Sequence, residues 1–170
     1  MTERMKGLVI GLVTDLEDPE GLGRIRVEFP WLSEAAVSTW ARVAAPLAGP
    51  ELGQYFQPEP GDEALVGFEM GEVNRPYILG YLWNGDNAPP SDDPNVRMIK
   101  TVSGHKLVFD DTSGSEVITI EDASGNNKIV MDADGITIES TRDVTIKGQN
   151  VNIEANAQLT AKGNPIHLNP

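Results

Sequence analysis

The chain has 170 residues, no cysteine and a formal net charge of −13. The lack of cysteine excludes disulfides and thiolate metal sites. The acidity argues against a nucleic-acid partner, because phosphate binding requires clustered lysine and arginine. No stretch approaches the roughly 20 apolar residues that cross a bilayer, and residues 1–11 lack the pattern of a secretion signal.

The first half of the chain, residues 5–83, predicts a small β-barrel. Short runs in which apolar and polar residues alternate are typical of strands with one buried and one wet face. Turn residues separate five such runs, which are Leu8–Val13, Gly23–Phe29, Trp40–Ala44, Ala64–Glu69 and Pro76–Leu82. Five strands in roughly 80 residues favour a closed barrel of the OB type.

A connector rich in Gly, Asn and Pro follows at residues 84–94. It separates two halves of different composition, because nine of the ten aromatic residues precede residue 90 and only Phe109 follows it. A globular core needs bulky rings to fill its interior. The second half must therefore bury its apolar residues in another way.

Residues 98–170 form a short repeat. Pairs of apolar residues spaced two apart recur along this half: Leu107/Phe109, Ile118/Ile120, Ile129/Met131, Ile136/Ile138, Val144/Ile146, Val151/Ile153, Leu159/Ala161 and Ile166/Leu168. From Ile129 onward the pairs begin 7, 8, 7, 8 and 7 residues apart. A fixed short period indicates a solenoid or fibre in which one strand repeats along an axis.

One strand per repeat with two inward aliphatic residues cannot enclose a core alone. Three chains about a common axis would each supply one wall of a triangular prism, whereas a single-chain β-helix needs about 20 residues or more per turn. A period of 7–8 residues fits one side of such a structure, so it favours three intertwined chains over one.

Three segments of the first half resemble the baseplate assembly protein V family, the spike proteins of contractile phage tails, and their VgrG relatives in injection systems. These segments are Thr39–Ala44, Tyr55–Val66, and Asn74–Gly85 with the following Pro89-Pro90. The repeats of the second half are similar to the trimeric β-helix of that family.

The resemblance implies a membrane-piercing spike at the tip of the inner tube, with a homotrimeric β-helix behind the tip. The implied partners are inner-tube, hub and baseplate proteins at the barrel, a PAAR-type tip protein at the C-terminal end and, transiently, the target cell envelope. The implied location is a tail baseplate or injection particle assembled in the bacterial cytoplasm. Some relatives carry a lysozyme domain after the barrel, for which this connector is too short. Others end in a His-x-His iron tip, where this chain has only His167.

Catalytic and metal chemistry finds little support in the sequence. Neither His105 nor His167 has metal-ligand spacing around it. Ile166 and Leu168 fit the inward row better than His167 does. If His167 pointed inward instead, its three copies could form a trimeric site. The acidic pairs Asp110-Asp111 and Glu121-Asp122 flank turns, which favours solvated turns over acid–base work. We expect no enzyme activity, no cofactor and no metal.

Two other functions stay open at this point. An OB barrel on a solenoid stalk could bind an oligosaccharide or a single-stranded nucleic acid, although 14 acidic and 6 basic residues in 1–86 weaken the nucleic-acid version. An enzyme acting on cell-wall glycan is the third hypothesis.

The predicted organisation is all-β: an OB-fold barrel at 1–86, a neck at 87–97 and an intertwined trimeric β-helix at 98–170. Two surfaces are predicted. Docking of the tip protein is assigned to Ile166, His167, Leu168, Asn169 and Pro170. The trimer core is assigned to Ile118, Ile120, Ile129, Met131, Ile136, Ile138, Val144, Ile146, Val151, Ile153, Leu159, Ile166 and Leu168.

Overall fold

The computed structural model describes residues 4–32 and 36–167. The chain divides into two compact units, Met1–Ser91 and Asp92–Pro170, called here the N-terminal unit and the C-terminal unit. All regular structure in the described residues is β-strand, apart from one 3-10 turn at Glu69–Gly71. The all-β prediction is therefore confirmed, whereas the finer division with a neck at 87–97 stays a prediction.

The N-terminal unit is a six-stranded sheet that closes on itself. Its strands are β1 (Val9–Asp15), β2 (Arg26–Phe29), β3 (Ala36–Val37), β4 (Arg42–Val43), β7 (Glu63–Phe68) and β8 (Pro76–Leu82), in the order β3-β2-β1-β7-β8-β4. A bridge between Ile25 and Ala41 joins the start of β2 to the start of β4, with paired N–H···O distances of 3.0 and 2.8 Å. This bridge closes the sheet into the barrel that the alternating pattern predicted.

Alternation along the strands builds the barrel core. In β2 and the residue before it, Ile25, Val27 and Phe29 are buried while the residues between them face outward. Each such aliphatic side chain contributes about 1.5–3 kcal/mol when it is fully buried. The core of the N-terminal unit consists of Val13, Ile25, Val27, Phe29, Ala41, Ala64, Val66 and Ile78.

Two short features were not predicted from the sequence. Strand β3 and a separate hairpin, β5 (Ala48–Gly49) with β6 (Leu52–Gly53), have only two residues per strand, too few to show a period.

The close packing of β1 against β2 requires a glycine at position 11, because a Cβ on Gly11 would lie 2.9 Å from Cγ2 of Val27.

The C-terminal unit contains a five-stranded antiparallel meander. Its strands are β9 (Val96–Lys100), β10 (Lys106–Asp110), β11 (Val117–Glu121), β12 (Asn127–Asp132) and β13 (Gly135–Ser140), each paired with its neighbour in sequence. The repeat predicted one strand per repeat, and the meander forms because short turns let each strand reverse onto the previous one. The predicted β-helix is intertwined from three chains, and the all-strand structure of this single chain is consistent with that prediction.

The loop between β1 and β2 is organised by Asp18, whose side chain is only 3% exposed. Its carboxylate accepts hydrogen bonds from Nε and Nη2 of Arg24 at 3.0 and 2.7 Å. It also accepts hydrogen bonds from the backbone N–H groups of Glu20, Leu22 and Arg24. The Arg24 guanidinium, helped by these backbone donors, holds the pKa of Asp18 well below its usual range. The loop therefore depends on a charged Asp18.

We expect Asp18→Asn to lower the Tm at pH 7, because the amide cannot accept the Arg24 hydrogen bonds as a carboxylate does. Since the folded pKa of Asp18 is depressed, its contribution is complete above the unfolded pKa of about 3.9 and is lost as the pH falls toward the folded pKa. The Tm difference between wild type and variant should therefore narrow below about pH 4. Thermal melts followed by circular dichroism measure this Tm difference, and Glu17→Gln at an exposed position is the control. Equal Tm values of wild type and Asp18→Asn at pH 7 would contradict the role of Asp18 in organising the loop.

Candidate assembly surface

One face of the C-terminal sheet is aliphatic. The strand register aligns one residue from each strand into a row across the sheet, made of Ile99, Leu107, Ile120, Ile129 and Ile138. Two residues along each strand, a second row on the same face contains Arg97, Phe109, Ile118, Met131 and Ile136. We call these two rows the aliphatic face.

The aliphatic face is only partly covered within the described chain. No described residue of the C-terminal unit is buried, and the side chains of Ile120, Ile136 and Ile138 are 47%, 71% and 64% exposed. A contiguous apolar patch on a sheet indicates a partner surface. The aliphatic face is therefore the main candidate for assembly.

The opposite face of the sheet is mixed, because its middle row contains Met98, Val108, Thr119, Val130 and Thr137 and its outermost row is charged. Its outermost row contains Lys100, Lys106, Glu121, Lys128 and Glu139. Ion pairs join Lys106 to Glu121 at 3.0 Å and Lys128 to Glu139 at 3.1 Å. Pairs this exposed contribute at most about 1 kcal/mol each, so they mark the solvent side of the sheet more than they stabilise it.

A polar row ends the aliphatic face near the β9–β10 and β11–β12 turns. Oδ2 of Asp122 accepts a hydrogen bond from Nδ2 of Asn127 at 2.8 Å, and Oδ1 of Asn127 accepts one from Oγ of Ser140 at 2.6 Å. Side-chain hydrogen bonds from Asn127 and Ser124 lower the pKa of Asp122 to about 2. Nδ1 of His105 accepts the N–H of Ala123 at 3.1 Å. The row uses its polar groups to hold the two turns.

Residues 142–167 follow the sheet without pairing. All of them are described, yet none belongs to a strand and none forms a backbone–backbone hydrogen bond. The apolar side chains of this tail are half or more exposed, from 50% at Val151 to 69% at Ile146. Unpaired backbone groups beside uncovered aliphatic residues indicate that the partners lie on another chain.

The predicted trimer-core residues fall into two groups. The structure brings six of them together on the aliphatic face: Ile118, Ile120, Ile129, Met131, Ile136 and Ile138. Six others, Val144, Ile146, Val151, Ile153, Leu159 and Ile166, lie in the tail and are exposed. The last predicted member, Leu168, lies outside the described residues.

The predicted tip-docking residues are only partly described. Ile166 is 51% exposed and His167 is also exposed. Leu168, Asn169 and Pro170 lie outside the described residues. Among residues 4–32 and 36–167, no group of three or more His, Cys, Asp or Glu side chains could hold a metal ion.

The sequence prediction omitted Arg97 and three apolar residues of the aliphatic face. Leu107 and Phe109 were recognised as a repeat pair but not assigned to the trimer core, and Ile99 was not recognised. In β9 the apolar Val96 and Met98 lie on one face and the apolar Ile99 lies on the other, so the strand shows no alternation of apolar and polar residues. The cross-strand pairing of Ile99 with Leu107 identifies it.

Comparisons with known proteins match both units. A model of the type VI secretion system/phage-baseplate injector OB domain matches residues 9–83, and a model of the phage baseplate V C-terminal trimerisation domain matches residues 95–160. Within the part of the chain that the structure describes, no helix is long and apolar enough to cross a membrane.

Individual relatives include the type VI secretion system spike protein VgrG3 of Vibrio cholerae, 33% identical over 113 residues, which is 59% of this chain and 11% of that protein. The spike protein VgrG2a of Pseudomonas aeruginosa is 29% identical over 54% of this chain and 12% of its own length. The actin cross-linking toxin VgrG1 of Vibrio cholerae is 28% identical over 85% of this chain and 14% of its own length. The chain thus spans only 11–14% of the length of these relatives.

Two substitutions in β13 test whether the aliphatic face is an interface. Ile138 is 64% exposed in the single chain, so Ile138→Asp in an isolated chain would cost within about 0.5 kcal/mol. If three copies pack by this face, the same change buries three unpaired carboxylates, which costs several times more. We therefore expect Ile138→Asp to lower the assembled mass and the Tm, as measured by light scattering and thermal melts.

The control is Thr137→Asp, because Thr137 is the preceding residue and faces the opposite side of the sheet. It should assemble like wild type. If both variants assemble equally well, the aliphatic face is not the interface.

Proposed function

From its membership of the phage-baseplate V family of injector proteins, we propose that the chain is a structural spike protein of a contractile injection system and acts as a homotrimer. The chain carries the OB domain and the C-terminal trimerisation domain of that family in this order. The aliphatic face carries the proposal. A membrane-piercing role requires a rigid body, and an uncovered sheet becomes rigid only when other copies cover it.

Threefold assembly accounts for both incompletely covered parts of the C-terminal unit. Three aliphatic faces turned toward a common axis would cover one another, and each isoleucine fully buried in this way contributes about 1.5–3 kcal/mol. The tail at 142–167 would receive its backbone hydrogen bonds from neighbouring chains. Its exposed pairs, Val144 with Ile146 and Val151 with Ile153, would then continue the inward rows.

The mechanical role follows from this construction. A contracting machine drives the trimer through the target envelope, and the load falls along the spike. Where strands pair between chains, local unfolding requires three chains to separate. A continuous backbone ladder therefore resists the load better than one chain could.

The proposal gives this chain no catalytic step. Two of the carboxylates singled out in the sequence serve as turn acceptors: Oδ1 of Asp110 accepts the N–H of Thr112, and Oδ1 of Asp122 accepts the N–H groups of Asn126 and Asn127. The two hydrogen bonds from Thr112, side chain and backbone, lower the pKa of Asp110. Such carboxylates stay ionised and occupied, which suits solvated turns and not proton transfer.

The proposed partners lie at the two ends of the chain. Inner-tube, hub and baseplate proteins would bind the barrel, and a PAAR-type tip protein would bind the last repeat through Ile166, His167, Leu168, Asn169 and Pro170. The exposed Ile166 supplies the apolar contact, and Pro170 offers no amide hydrogen to continue a ladder. The particle would be a phage tail or an injection system, and it would meet the target envelope transiently.

Deleting residues 164–170 tests this arrangement. We expect light scattering to give three times the 18.4 kDa chain mass for the intact protein. The truncated protein should also be trimeric, because the upstream rows still pack, but a co-expressed PAAR-type tip protein should no longer co-purify with it.

A monomeric intact protein would overturn the spike proposal. A truncated trimer that binds the tip protein with unchanged affinity would place the docking surface elsewhere while leaving the trimer intact. One tightly held metal ion per three intact chains would instead indicate a self-tipped spike in which three His167 side chains converge.

A further inference from the structure

Six outward side chains meet on the barrel where β2, β4 and β8 adjoin. Residues Ile25 and Ala41 pair antiparallel, which places Arg26 beside Trp40 and Arg24 beside Arg42 on the outer surface. Strand β4 pairs parallel with β8, which places Arg42 beside Tyr77. Arg75 precedes β8 and lines the same groove as Trp40. We call this group the arginine array: Arg24, Arg26, Trp40, Arg42, Arg75 and Tyr77.

The array gathers every basic residue of the barrel beyond its first few positions. Between residues 7 and 96 the sequence has no lysine, no histidine and only the four arginines of the array. The chain as a whole carries a net charge of −13. Chain segments far apart in sequence therefore converge to place all these cations on one patch of an acidic protein.

The four arginines differ in what they already bind. Arg24 pairs with Asp18 at 2.7 Å and with Glu20 at 3.0 Å, and Arg75 pairs with Glu69 at 3.3 Å and with Glu72 at 3.2 Å. Both partners of Arg75 are 41% or more exposed, so these pairs exchange readily with solvent or a ligand.

Arg26 and Arg42 form no ion pair within the described residues. The guanidinium of Arg26 lies 4.6 Å from the ring centroid of Trp40, and that of Arg42 lies 5.9 Å from the ring centroid of Tyr77. Nε of Arg26 is buried without a hydrogen-bond partner. Of these two arginines, Arg42 is the exposed one, and it lines the groove beside Tyr77 with no ion pair to any described residue.

This arrangement favours a carboxylate ligand. Arg42 lies beside Tyr77 without an ion pair in the described residues, so its planar guanidinium is available for bidentate bonds to a carboxylate. The guanidinium of Arg26 occupies a face of Trp40 that a sugar or a base would need for stacking. A long polyanion would also meet the surrounding negative charge, whereas the groove, of about 600 Å³, accommodates a few residues of peptide.

We propose that the arginine array is a docking groove for a short acidic segment of a protein partner, anchored by Arg42 beside Tyr77 and by Arg75 in the same groove. The proposal does not depend on the spike function. It assigns the barrel a recognition surface on the outside of its β2–β4–β8 junction.

A fluorescein-labelled hexaglutamate peptide, titrated into the full-length protein and followed by anisotropy, tests the groove. We expect saturable binding that weakens with salt. Arg42→Ala should weaken it by at least about tenfold, the loss of one charge-assisted bidentate pair. Arg42→Lys keeps the charge but not the planar fork, so it should restore only part of the affinity. Lys6→Ala removes the same charge at an exposed position outside the array and should bind like wild type. Arg42 is exposed, and unchanged melting of its variants will show that they fold.

Three results would overturn the proposal. The first is the absence of hexaglutamate binding to wild type, and the second is equal affinity in wild type and Arg42→Ala. The third is tighter binding of a labelled oligothymidylate than of hexaglutamate, which would identify a nucleic-acid groove. A change in assembled mass on Arg42→Glu without peptide binding would show that a second copy of the chain occupies the array.

Discussion

A β-strand is stable only if its backbone groups find partners and its apolar side chains leave water, and the C-terminal unit alone meets these conditions only in part. The sheet of β9–β13 satisfies its own backbone but leaves one aliphatic face incompletely covered. The tail at 142–167 satisfies neither its backbone nor its side chains. Both deficits lie on one unit and disappear together when copies of the chain pack about an axis. The assembly is thus required by the chain's own chemistry before any partner is considered.

The N-terminal unit solves the same problem within one chain. The Ile25–Ala41 bridge closes its sheet, so the inner faces of β1, β2, β7 and β8 cover one another. All eight buried hydrophobic residues of the described chain belong to this unit. A barrel that is complete alone leaves its outer surface available for recognition, and barrel closure also brings the arginine array together. The N-terminal unit therefore completes its core within one chain, whereas the C-terminal unit leaves apolar residues that other copies would cover.

Sequence reasoning predicted the features that depend on period. Alternation in β2 and β8 gave the barrel strands, and the pairs from Leu107/Phe109 to Ile136/Ile138 predicted residues that share one face. The repeat could not show whether the neighbour of each strand is the next strand of the same chain or a strand of another chain, because both arrangements give the same spacing. Nor could it show that Arg24, Arg42 and Arg75 converge, since only the barrel register places them together. The two-residue strands β5 and β6 are too short to carry a period.

The central claim is that residues 142–167 obtain their hydrogen bonds from other chains, and amide hydrogen exchange on the full-length protein tests it most directly. In a single chain these amides are open to water, whereas those of β10–β12 are paired. The account predicts that the amides of Val144–Ile153 exchange as slowly as those of β11. Exchange of that segment at the rate of an unstructured peptide, in a sample whose mass is that of a trimer, would contradict it.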